Sequence, residues 1–261
     1  MTSLSRRGAD QSLRNRARES VKLGVRGLLQ KADVEIGRGT FANRLARTCD
    51  AFGIDTVLDV GANVGQYATM LRRAGFAGRI LSCEPLTGAF GELASRADGD
   101  ARWQTLHTAV GAEPGTVSIH VSENSFSSSI RDMTDAHLDN APGSHYIATE
   151  EVPVTTVAGL VDTHGVDPAR CLLKIDTQGY EGEVLRGAGE LVGRVQAIQL
   201  EMSFVELYAG QLLYDDLMAA MVAAGYRLHT LDPGFSAADG RLLQVDGLFV
   251  RADAGSAPSG A

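Results

Sequence analysis

The stretch that most constrains this chain is Thr56-Val-Leu-Asp-Val60 running into Gly61-Ala-Asn-Val-Gly65, with Glu84-Pro85 nineteen residues further on. A short aliphatic run carries an acid near its end and passes into a glycine-bearing turn. A helix-like segment begins near Gln66, and the next apolar run, Arg79-Ile-Leu-Ser-Cys83, leads to the second acid. This is the layout of a nucleoside-cofactor site at the strand ends of an open α/β sheet. Gly61 and Gly65 free the backbone to approach a ligand. Glu84 can accept hydrogen bonds from both hydroxyls of a ribose.

The spacing separates two kinds of cofactor. A dinucleotide fingerprint needs a middle glycine to make room for a pyrophosphate. Here Asn63 holds that place, and the pattern from Asp59 reads D-x-G-x-x-x-G. S-adenosylmethionine has no phosphate, and its ammonium group suits an acid such as Asp59. The competing reading is a strand-to-helix turn with no ligand at all. Glu84 at the second strand end favours the cofactor.

Composition narrows the class. The 261 residues suffice for one large domain with extensions. Charged residues make up 21% and hydrophobic residues 44%, the balance of a folded globular chain. No apolar run reaches the ~18 residues of a membrane span. The polar start, Met1-Thr2-Ser3-Leu4-Ser5-Arg6-Arg7, does not read as a secretory signal, so a cytoplasmic protein is expected. Cys49, Cys83 and Cys171 lack metal-ligand spacing and are expected as inert thiols. A net charge of −8 argues against nucleic acid as a partner. That charge is uneven: residues 1–31 carry eight Lys or Arg against Asp10 and Glu19, a local +6, leaving −14 elsewhere. Leu13, Ala17, Val21, Val25 and Leu28 fall at helical spacing there. Two readings stay open, a helix packed on the domain and a basic amphipathic element touching anionic membrane.

From Asp50 onward strand-like and helix-like runs alternate, the signature of a mostly parallel sheet with helices on both faces. Strands are predicted at Val57–Val60, Ile80–Cys83, Trp103–Val110, Leu172–Ile175, Ala197–Glu201, Arg227–Leu231 and Leu248–Arg251. Helices are predicted at Gln66–Ala74, Phe90–Arg96, Glu181–Leu191 and Tyr214–Ala224. The last two strands, joined by the turn-rich Asp232–Gly240, should form an antiparallel hairpin. The predicted fold is therefore α/β and Rossmann-like, with seven strands. Its divisions are a basic N-terminal extension (1–48), a main domain (49–252) and a small polar tail (253–261). Between about 112 and 168 an insertion breaks the rhythm, with extra strands at Thr116–Val121 and Val152–Val157. It carries Ser127-Ser-Ser129, His137, His145 and Tyr146, and reads either as a specificity element or as a surface loop.

Taken together these residues resemble the FkbM family of class I S-adenosylmethionine-dependent methyltransferases, over about residues 54–251. The anchors are V-L-D-V-G-A-N-V-G-Q-Y at 57–67, E-P at 84–85, T-A-V-G at 108–111, S-S-S at 127–129, L-K-I-D-T-Q-G-Y-E at 173–181, V-L-R-G at 184–187 and L-E-M at 200–202. The resemblance implies methylation of a hydroxyl on a sugar, glycolipid or polyketide-type small molecule. It also implies that Asp59, Gly61, Asn63, Gly65, Glu84, Pro85 and Leu86 bind the cofactor. The adenine would lie against Thr108, Ala109 and Val110, with Leu86 over its other face. One departure is visible, since the family commonly carries an acid where Gln178 stands.

Catalytic candidates follow from strand ends, where ligands bind in open sheets. Asp176 and Glu201 each end a predicted strand and are expected as general base or as ligands of Mg²⁺. A turn or N-cap role competes for Asp176. Lys174 alternates in and out with Ile175 and is expected to face another layer than the substrate. His145 and His137 could reach a substrate from the insertion, whereas His107 and His229 read as core histidines. Two rival functions remain, a non-catalytic cofactor-binding module and a nucleic-acid methyltransferase, and a homo-oligomer is left open.

Overall fold

The computed structural model describes residues 40–123, 127–141 and 143–253. The chain divides into two units between Arg44 and Leu45. That boundary falls inside helix α1 (Phe41–Ala51), a few residues before the break expected at 48/49. Among the described residues the first unit holds only Thr40 to Arg44. The basic stretch 1–31 and the tail beyond Asp253 lie outside the described residues.

The second unit is built on a seven-stranded sheet. Its strands are β1 (Thr56–Val60), β2 (Arg79–Cys83), β3 (Trp103–Leu106), β7 (Cys171–Ile175), β8 (Ala197–Ser203), β9 (Tyr226–Pro233) and β10 (Gln244–Arg251). They lie in the order β3-β2-β1-β7-β8-β10-β9. Only β10 runs antiparallel, inserted between β8 and the edge strand β9. The expected hairpin is present, and its returning strand sits one place inside the edge. The order reverses at β1, which pairs with β2 on one side and β7 on the other, opening a crevice at their C-terminal ends.

Helices connect these strands: α2 (Gln66–Arg73), α3 (Thr87–Ala97), α5 (Val157–His164), α6 (Glu181–Ala188) and α7 (Tyr214–Ala223). Helix α5 was not predicted, because its eight residues interrupt what reads as a continuation of the insertion. Local chemistry nonetheless defines it. Thr156 Oγ1 accepts the Gly159 N–H at 3.0 Å, and Gly165 ends it in the left-handed region at φ 59°.

Strand alternation gives the sheet two unlike faces. Leu58, Leu81, Leu173 and Ile198 stand in register on one face and pack with Leu160, Val184 and Leu217 from α5, α6 and α7. The opposite face carries a buried polar row, Ser82, Asp59, Lys174 and Gln199, also in register across four strands.

The insertion folds into a second, three-stranded sheet, β4-β6-β5, from β4 (Ala109–Val110), β5 (Gly115–Ser122) and β6 (Tyr146–Thr155), with a short helix α4 (Asp135–Asn140). The predicted strand Trp103–Val110 is thereby corrected. It breaks after Leu106, so that β3 belongs to the main sheet and β4 to the smaller one.

Candidate active site

The turn after β1 is shaped by packing as much as by ligand access. Gly61 adopts φ 76°, and a Cβ there would lie 1.8 Å from the carbonyl oxygen of Asp176. Gly65 adopts φ 86°, and a Cβ would press Leu93 and Trp103. Both glycines are needed because β1's turn nests against β7 and α3. Gly61 also lines the crevice, whereas Gly65 does not. Asn63, at φ 47°, turns its N–H onto Glu84 Oε2 at 2.8 Å, and Leu86 donates its N–H to Glu84 Oε1 at 2.9 Å. Each carboxylate oxygen of Glu84 is thus oriented while keeping a lone pair for a hydroxyl. Burial pushes this carboxyl up to about 7 against the pull of those two amides.

Asp59 is not on the cavity wall. It is fully buried, accepts a hydrogen bond from Ser82 Oγ at 2.9 Å, and faces Lys174 Nζ at 3.2 Å. The expectation of an ammonium contact at Asp59 is corrected: alternation points it into the polar row beneath the crevice. Lys174 behaves as expected for a buried residue. Its ammonium bridges Asp59 and Asp176 (3.4 Å) and donates to the Gly61 carbonyl at 2.9 Å. Burial pulls its titration down, yet Asp176 and Asp59 raise it above the ordinary lysine value. Trp103 Nε1 donates to Ser82 Oγ at one end of the row, and Tyr67 donates to Gln199 at the other.

The second half of the site is the loop Asp176-Thr-Gln-Gly-Tyr-Glu181. Glu181, 3% exposed, accepts the N–H groups of Thr177 (2.9 Å) and Gly179 (3.2 Å) and so staples the loop. Gln178 and Gly179 follow in the left-handed region at φ 54° and 94°. The result aims the Gln178 amide between two carboxylates. Its Nε2 donates to Asp176 Oδ1 at 3.0 Å and to Glu201 Oε2 at 2.9 Å, while its Oε1 accepts Tyr208 OH at 2.6 Å. Burial first, then Asp176 and Asp246, drives Glu201 far above the usual carboxylate range. Ser129 Oγ donates to the Gln178 carbonyl at 2.7 Å, tying the Ser-rich motif of the insertion to this loop.

A cavity of about 320 Å³ joins these parts. Glu84, Pro85 and Leu86 stand at one end with Thr108, Ala109 and Val110; Asp176, Gln178 and Glu201 stand at the other. The insertion roofs it with Ile119, Ser127–Ile130 and His137, and the β9–β10 connection adds Phe235. His145 is exposed and off the cavity, a further correction. Its neighbour Ser144 takes the inward place, bonded to Ser127 Oγ at 3.1 Å. The histidine that does line the cavity is His137. His229 and His107 are not core residues: both are exposed, set against Phe52 and Phe90 respectively. Phe235 carried no signal in the sequence, since the turn-rich stretch holding it reads only as a connection.

These residues fit S-adenosylmethionine: a carboxylate with free lone pairs for the ribose and an apolar slot beside it for the base. They do not fit a divalent cation. The Gln178 amide already occupies the space between Asp176 and Glu201, with N–H groups turned toward both. Among the described residues no group of three or more His, Cys, Asp or Glu gathers as a metal site.

The sequence model of the Methyltransferase FkbM domain matches residues 59–228, well over half of the chain. The chain belongs to the FkbM methyltransferase family. No match is found among curated proteins. Among solved structures the chain is similar to magnesium protoporphyrin IX methyltransferase from Synechocystis PCC 6803 with bound SAM, at 12% identity, 83% of this chain, 86% of the other, and a TM-score of 0.42. It is similar to an rRNA methylase from Streptococcus thermophilus at 10% identity, 84% and 99% coverage, and a TM-score of 0.43. An S-adenosylmethionine-dependent methyltransferase from Mesorhizobium loti aligns at 9% identity, 82% and 99% coverage, and a TM-score of 0.43. Among the described residues, this FkbM domain has no helix long and apolar enough to cross a membrane.

Proposed function

We propose that this FkbM-family protein transfers a methyl group from S-adenosylmethionine to a hydroxyl of a sugar, glycolipid or polyketide-type small molecule. The observation that carries this reading is the single cavity with Glu84 at one end and the Asp176–Gln178–Glu201 group at the other. The bound cofactor supplies a sulfonium methyl open to in-line displacement, so the protein's task is chiefly positioning. Glu84 holds the ribose hydroxyls, and Leu86, Ala109 and Val110 flank the base. Asp176, part-exposed at the end of β7, faces the remaining space and accepts a hydrogen bond from the acceptor. Gln178 fixes that carboxylate's orientation, while Lys174 balances its charge from below. The roof of serines suits a polyhydroxylated acceptor.

The acidic balance of residues 32–261 argues against a nucleic-acid acceptor. A cytoplasmic site of action, with residues 1–31 contacting anionic membrane, belongs to the same proposal and rests on charge alone. The test is S-adenosylhomocysteine release from S-adenosylmethionine with a panel of methyl hexosides, methyl 6-deoxyhexosides and macrolactone alcohols. Acceptor-dependent release is expected with at least one class. Cofactor binding without release on any acceptor would favour a non-catalytic module instead.

A further inference from the structure

Tyr208 is fully buried, yet its hydroxyl reaches the acceptor end of the site, where it donates to Gln178 Oε1 at 2.6 Å. The ring packs with Leu207 and Leu243 and lies against Gly179, where a Cβ would come within 2.7 Å of Tyr208 Cβ. Packing of that kind asks for the ring and not for the hydroxyl. The insertion fixes both partners of this bond. On one side Thr134 N–H donates to the Leu207 carbonyl at 2.9 Å, Ala209 N–H donates to the Asp132 carbonyl at 2.8 Å, and Met133 pairs with Tyr208 between them. On the other side Ser129 Oγ holds the Gln178 carbonyl at 2.7 Å. Burial, and after it the Glu201 carboxyl, keeps the phenol far above the usual tyrosine value, so its proton stays available for donation.

What the phenol holds is the orientation of an amide. With Oε1 on Tyr208, Gln178 Nε2 faces Asp176 Oδ1 at 3.0 Å and Glu201 Oε2 at 2.9 Å. The reverse orientation would set Oε1 against Asp176 Oδ1, acceptor against acceptor. Asp176 is thereby tied at each oxygen, Oδ1 by the amide and Oδ2 by the Lys174 ammonium at 3.4 Å. Its side chain is 36% exposed and lines the cavity, so the carboxylate assigned to the acceptor is aimed from behind.

Resting on the methyltransferase reading above, we infer that Tyr208 is a positioning residue for methyl transfer, acting only through Gln178. The phenol fixes the amide, the amide fixes Asp176, and Asp176 holds the acceptor hydroxyl in line with the sulfonium methyl. Tyr208 itself touches neither substrate. Misplacing a reacting group by about 1 Å costs up to about 100-fold in rate, so freeing the amide should appear in kcat and leave the cofactor half untouched. The insertion therefore does more than roof the cavity: it braces the side chain that sets the acid beneath it.

The experiment uses the full chain with the acceptor panel above and three variants: Tyr208→Phe, which keeps the ring, Gln178→Met, which keeps the length but not the amide, and the two combined. Tyr208→Phe should lower kcat about 10- to 100-fold, with the acceptor KM and the calorimetric affinity for S-adenosylhomocysteine each within about threefold of the parent. Gln178→Met should fall at least as far. Adding Tyr208→Phe to Gln178→Met should then change kcat by less than about threefold, because the phenol has nothing left to act through. A packing defect would instead multiply through both backgrounds. The inference is overturned by a Tyr208→Phe loss under about tenfold, by a loss carried in the acceptor KM, or by a further loss above about threefold in the Gln178→Met background. Should Tyr208→Phe not fold, Gln178→Met alone decides, and a kcat within about tenfold of the parent overturns the inference. Should the parent methylate no acceptor, the function reading falls and this inference with it. Should the parent turn over and Tyr208→Phe match it, only the role of Tyr208 falls.

Discussion

At the scale of single residues, Glu84 carries the most specific expectation. In the free protein its carboxyl sits at about 7, so it is largely protonated below that pH. Ribose hydroxyls donate to it best when it is ionised. Ligand binding should therefore lower its pKa and release a proton at pH 6, with affinity falling by up to about tenfold per unit below pH 7. Calorimetry of S-adenosylhomocysteine in two buffers of different ionisation enthalpy reads the proton directly. Buffer-independent heat at pH 6 would contradict the assignment. Glu84→Ala should weaken binding about 10- to 100-fold through the lost charge-assisted bonds, whereas Asp176→Ala should spare affinity and remove turnover. Lys174 makes a second prediction at this scale. Replacing it by Met leaves Asp59 buried without a cation and should cost about 3–5 kcal/mol of stability, measured by denaturant unfolding. A loss below about 1 kcal/mol would show that Ser82 alone satisfies Asp59.

At the scale of elements, the loop from Asp176 to Glu181 decides what the acceptor end of the cavity can hold. With Gln178 an amide, two carboxylates are bridged by N–H groups; with an acid there, three carboxylates would converge. Gln178→Glu should therefore create a divalent-ion site. Titration with Mn²⁺ is expected to show binding to the variant and none to the parent. Binding to the parent, abolished by Glu201→Gln, would contradict this account. The elements also show what sequence reveals and conceals. Strands such as Thr56–Val60 and Cys171–Ile175 were legible because both faces are buried and the runs are mostly aliphatic, each broken by a single charged residue, Asp59 or Lys174. The strand-end places of Glu84 and Asn63 were legible from spacing, whereas the Thr108–Val110 segment was implied by the family resemblance. Helix α5 and the split after Leu106 were not, because each depends on which sheet a neighbouring strand joins. Asp59 was misread for a related reason. Its position at a strand end suggested a ligand, and only the in-register Lys174 reveals that it faces inward.

At the scale of the whole molecule, two halves of one cavity are brought together by segments 94 residues apart, from Glu84 to Gln178. Glu84 follows β2, Gln178 follows β7, and His137 arrives from an insertion whose polar composition did not announce a wall. Histidines illustrate the limit well: between the two candidates His137 and His145 spacing favoured neither, and the structure buries His137 at the cavity while leaving His145 exposed. The basic segment 1–31 adds a separate expectation. Its deletion should abolish sedimentation with anionic vesicles if it contacts membrane, while unchanged sedimentation would remove that part of the proposal. The account as a whole depends on which cofactor fills the crevice, and calorimetric titration of the intact protein with S-adenosylhomocysteine, with NAD in parallel, asks this most directly. Binding on the order of micromolar Kd by S-adenosylhomocysteine alone is the predicted result. Binding of NAD alone, or of neither, would contradict the methyl-donor site built around Glu84.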